Sequence, residues 1–194
     1  MTRDVFHDKA RGELEQYSRH HDELLIQKLR ERAHVDELTR ALAEKLEVDD
    51  RGLLERIVAL GVTLETGSAF LLAPLVQIAW AEGEVTPEER DTILAIARER
   101  GIDDDSPSQT QLLQWLQSRP PDDLFETAEA AIRTGISVLP EAERVSRIAT
   151  MVGLCRRVAA ASGGGVLARL LGLDHSVSQQ EEEVLAAITA KLEG

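Results

Sequence analysis

Aromatic residues make up only 3% of this 194-residue chain, and sustained β-branched alternation is missing with them. Strands draw on both, so a sheet fold is disfavoured. The apolar residues recur instead at three- and four-residue steps, the spacing of an all-α protein. Cysteine is scarcer still. Cys155 stands alone beside Met151-Val152-Gly153-Leu154, which excludes an internal disulfide and marks it as a small buried hydrophobe rather than a nucleophile. Positive charge is short as well: 22 Lys and Arg face 35 Asp and Glu, a net charge of −13. Nucleic-acid backbones and anionic membranes are repelled by such a surface. No apolar run is long enough to cross a bilayer, since Ala69 to Ala81 is interrupted by Pro74 and Gln77 and falls short of about 18 residues. The first eight residues carry acids and no apolar core of signal-peptide length. A cytoplasmic protein with no nucleic-acid partner and no membrane insertion is expected.

What the chain does contain is a repeated pattern. Ile78-Ala79-Trp80-Ala81-Glu82-Gly83 is echoed 80 residues later by Val158-Ala159-Ala160-Ala161-Ser162-Gly163. Val85-Thr86-Pro87-Glu88-Glu89 is echoed 92 residues later by Val177-Ser178-Gln179-Gln180-Glu181. The 12 residues of difference fall in the second loop, with Val166 to Leu173 reading as a short apolar helical insertion. Two helix-loop-helix units of one pattern are implied.

The helix starts are legible one by one. Thr86 caps, Pro87 suits the first helical position and Glu89 closes a capping box. Ser106 with Gln109, and Ser178 with Glu181, have the same spacing. Asp50 caps a helix carrying Leu53, Leu54, Ile57 and Val58, and Gly101 fits a left-handed helix end. A helix from about Ser68 to Glu82 is expected to kink at Pro74, and another to run from Pro140 to Ala161. Upstream, Leu25, Leu29, Leu38, Leu42 and Leu46 stripe an amphipathic helix whose seam is broken at Arg32. Such a stripe is not stable alone, so it is expected to fold back on the body, with a homodimer as the alternative. The expected architecture is a compact helical bundle of two pseudo-repeated units over residues 49–194, with an N-terminal helical arm over 1–48.

The stretch from Leu72 to Glu89, with the later helix from Glu143 to Ala161 and its loop, resembles the TerB-like family of tellurite-resistance and stress-response domains. In that family a helix ends in an Ala-Asp-Gly loop and the next opens with a Ser/Thr-x-x-Glu start, twice per domain, in a compact helical bundle. The resemblance spans about residues 50–194 and leaves the arm unexplained. It departs from the pattern at Glu82, where the family has Asp, and at Ser162, where the second acid is gone. It implies a stress-response module rather than an enzyme.

Glu82, Glu84, Glu88 and Glu89 place four carboxylates within eight positions, hard oxygen ligands suited to a weakly held divalent cation such as Ca²⁺. The competing reading gives Glu88 and Glu89 to the first helical turn, where the macrodipole favours acids. The loop lacks the alternating ligands of an EF-hand. Asp103-Asp104-Asp105 joins such a site only if the fold brings it there. His7, His20, His21, His34 and His175 show no zinc-ligand spacing. Ser162-Gly163-Gly164-Gly165 follows a helix rather than a strand and ends it instead of cradling phosphate. Trp80 and Trp115 read as core anchors. No catalytic constellation and no cofactor motif emerges. The leading expectation is a non-enzymatic protein-interaction module, with a cation-binding sensor and then an enzyme with an unrecognised site as alternatives.

Overall fold

The structure, a computed structural model, describes residues 2–162 and 177–194, and within them the side chains of residue 21 and residues 23–30, 32–161 and 177–194. The expected insertion at 166–173, the glycines 163–165 and His175 lie outside the described residues. The described chain forms α1 (Thr2–Leu46), α2 (Arg51–Ala59), α3 (Gly67–Phe70), α4 (Ala73–Ala79), α5 (Pro87–Glu99), α6 (Pro107–Gln117), α7 (Asp122–Ser137), α8 (Glu141–Ser162) and α9 (Gln179–Glu193), with no strand among them. The all-α expectation holds.

The core is organised around α4, the shortest helix but one. Ala73, Pro74, Leu75, Val76, Ile78 and Ala79 are all buried, and a helix that is apolar on every side belongs in the middle of a bundle. It packs against α5, α6, α7, α8 and α9. Phe70, Phe125, Ile93, Ile96, Leu112 and Ile188 belong to the same core, each almost fully buried.

Two expectations need correction. Pro74 does not kink a long helix from Ser68 to Glu82. The chain ends α3 at Phe70, turns through Leu71 and Leu72, and starts α4 with Pro74 in its first turn. There its missing N–H costs nothing, because the first N–H groups of a helix have no intrahelical partner. The arm is a single helix, α1, from Thr2 to Leu46. It also folds back only at its end: Leu42 and Leu46 are buried and Leu38 packs on the core, while Leu25 and Leu29 stay exposed.

Local signals account for the other boundaries. Asp50 accepts from the Leu53 N–H at 3.0 Å and starts α2. Gly101, at φ +79°, ends α5 in the left-handed region that favours glycine. Ser106 caps α6, yet Gln109 accepts from the Asp105 N–H at 2.7 Å instead of from Ser106, so that box stays half closed. The boxes opening α5 and α9 are both complete.

Candidate functional site: an acidic junction between two helix starts

At the start of α5 the Thr86 hydroxyl accepts from the Glu89 N–H at 3.2 Å. In return Glu89 Oε2 accepts from the Thr86 N–H and from its hydroxyl, each at 2.7 Å. At the start of α9 the Ser178 hydroxyl accepts from the Glu181 N–H at 3.2 Å, and Glu181 Oε2 accepts from the Ser178 N–H at 2.8 Å. Both glutamates are buried, at 3% and 1% exposure. The charge of Glu181 also reaches Glu89. Loss of solvation pushes the Glu89 carboxyl above the ordinary carboxylate range, the Thr86 bonds oppose this, and the negative charges of Glu181 and Glu82 push it further up. Two carboxylates 92 positions apart are thus brought into one electrostatic neighbourhood, which no local motif reports.

The four acids grouped in the sequence are divided by the fold. Glu89 is turned inward as a cap, whereas Glu82, Glu84 and Glu88 stand exposed on the loop and first turn. Among the described residues no group of three or more His, Cys, Asp or Glu converges as a metal-binding set. Asp104 does not join the junction. It pairs with Arg98 at 2.9 Å, which holds its carboxyl below the usual range, near the opposite end of a helix about 18 Å long.

Away from the junction, other side chains brace the bundle. Trp80, at the end of α4, donates through Nε1 to the Trp115 carbonyl at 2.8 Å, and Trp115 is buried as expected. Arg157 on α8 grips Glu99 on α5 through two bonds of 2.8 Å. Cys155 is fully buried, and burial with the nearby Glu129 carboxylate pushes its thiol up to about 12. A thiol held that high is not a nucleophile at neutral pH. Glu129 itself is 2% exposed and accepts from Lys191 on α9 at 2.7 Å, leaving its second oxygen buried without a partner.

A second notable surface lies on α1. Leu24, Leu25, Ile26 and Leu29 are 45 to 58% exposed, and Val35 is exposed beyond them. The helix holds nine basic and ten acidic residues, whereas residues 47–194 hold 13 and 25. Nearly all the net negative charge therefore belongs to the body. No helix among the described residues is long and apolar enough to cross a membrane.

No protein family, curated protein or solved structure matches this chain.

Proposed function

We propose that the chain is a non-enzymatic module that works through protein contacts, with the exposed apolar stretch in the middle of α1 as its contact surface and a second copy of the chain as its partner. The exposed Leu24, Leu25, Ile26 and Leu29 carry this reading. An apolar stripe on a long helix is stabilised by burial against another helix, and a nearly neutral arm can pair where two acidic bodies repel. Sedimentation of the full chain tests it. The wild type should form a concentration-dependent dimer, and Leu25→Glu with Leu29→Glu should be monomeric with an unchanged thermal midpoint of the body. A wild type that stays monomeric at its highest soluble concentration overturns self-pairing.

The body fits a TerB-like, duplicated helix-loop-helix reading. Its support is the pair of complete capping boxes at Thr86/Glu89 and Ser178/Glu181, each following a helix and loop of related sequence. A stress-response or tellurite-resistance role is what that resemblance adds.

A second reading is a weakly held divalent cation at the acidic junction, favoured by the negative charges of Glu181 and Glu82 acting on the buried Glu89 carboxyl. Calorimetric titration with Ca²⁺, Mg²⁺ and Zn²⁺ tests it. Binding lost in Glu82→Gln supports the sensor; no heat with any of the three removes it.

A further inference from the structure

Away from the acidic junction, a cavity of about 300 Å³ opens between the end of α1, the α3–α4 turn, α7 and α8. Its wall is apolar. Leu71, Ile132, Ile136, Ile148, Met151 and Leu154 all face it and are only half-buried, so each keeps apolar surface in contact with the cleft. Three ionic side chains line it, Arg100, Arg147 and Glu47, and the balance is positive in a chain whose net charge is −13. Arg100, just past the last turn of α5, makes no ion pair among the described residues, and Arg147 reaches Glu143 only at 3.6 Å. Thr150 spends its hydroxyl on the Ser146 carbonyl.

Pockets that hold small molecules combine an apolar lining with a few polar groups that fix orientation, and guanidinium groups suit a planar carboxylate. We propose that this cavity binds a single-chain fatty carboxylate, its tail against the Leu71, Ile132 and Met151 wall and its head group held by Arg100 and Arg147. At about 30 Å³ per methylene-sized unit, comparable to a water molecule, the cavity holds a chain of roughly ten carbons. Each methylene buried there contributes about the same increment, so affinity rises with chain length until the cavity is full. Unbranched Met151 can adapt to a flexible tail.

The test is titration calorimetry of the full chain with decanoate below its micelle-forming concentration, beside decan-1-ol and decyltrimethylammonium. Decanoate should bind saturably, at one per chain, and more tightly than the alcohol or the cation. Combining Arg100→Gln and Arg147→Gln should weaken decanoate about tenfold or more and leave decan-1-ol unchanged. Leu154→Trp, which fills the cleft, should abolish binding of both; a circular-dichroism melt confirms that each variant is folded. The proposal is overturned if decanoate does not saturate, if decan-1-ol or the cation binds as tightly, or if the double arginine variant binds decanoate like the wild type. Absence of saturable decanoate binding leaves the cleft to an apolar protein segment.

Discussion

Trp80 donates its indole N–H to the backbone carbonyl of Trp115, 35 residues further on, at 2.8 Å. That carbonyl lies in the last turn of α6, where helix carbonyls have no partner within the helix. The bond therefore satisfies a helix end and ties it to the end of α4 in one contact. Trp80→Phe keeps an aromatic ring, though a smaller one, and removes the donor. It should cost about 1–3 kcal/mol, or about 2–4 °C of melting temperature per kcal/mol for a chain of this size. An unchanged midpoint would show that water replaces the indole without loss.

The two capping boxes give a paired test. Thr86→Ala and Ser178→Ala should each destabilise by about 0.5–2 kcal/mol. Thr86→Ala should be the more costly, because its hydroxyl also donates to Glu89. Chemical denaturation of both variants and of the double variant measures this, and a double loss unequal to the sum reports coupling across the junction.

Glu89 predicts a pH dependence with a definite sign. Its carboxyl is held above its ordinary value chiefly by lost solvation, so the folded chain takes up this proton more readily than the unfolded one. Its stabilising contribution is fully present below the ordinary value of 4.5 and is lost as pH rises through the folded value. Glu89→Gln keeps an acceptor for the Thr86 N–H and removes the charge. Stability should then vary less with pH across that window and be equal or higher at pH 7. A lower midpoint at pH 7 contradicts the assignment.

Two ion pairs of similar distance should differ in worth. Arg157 and Glu99 are each about half exposed, so Arg157→Ala should cost roughly 0–1 kcal/mol. Lys191 pairs with a Glu129 side chain only 2% exposed, and Lys191→Ala strands that carboxylate. Its cost should approach the ~3–5 kcal/mol of a broken buried pair. Equal losses in urea denaturation would refute the distinction.

Much of the scaffold was readable from local chemistry. The Thr86, Ser178 and Asp50 caps and the Gly101 end are short-range devices, and each appears where its spacing places it. Burial of Cys155 and Trp115 followed from their apolar neighbours. What local pattern misses is settled by partners distant in sequence. Pro74 is compatible with a kink or with a new first turn, and the close packing around α4 selects the latter. Gln109 has the spacing of a capping box, yet the left-handed Asp105 brings another N–H within its reach. The leucine stripe of the arm runs on either side of Arg32, but the body packs only as far as Leu38, so Leu25 and Leu29 stay exposed. The approach of Glu89 to Glu181 and the arginine-rimmed cleft exist only once helices are assembled.

The length of α1 sets a separation. From Thr2 to Val35 the helix rises about 50 Å, while electrostatic repulsion at physiological salt fades over about 8 Å. Two copies overlapping along these arms in opposite directions would hold their acidic bodies many screening lengths apart. The arm then acts as a spacer, and association should depend only weakly on salt even though each body is strongly anionic.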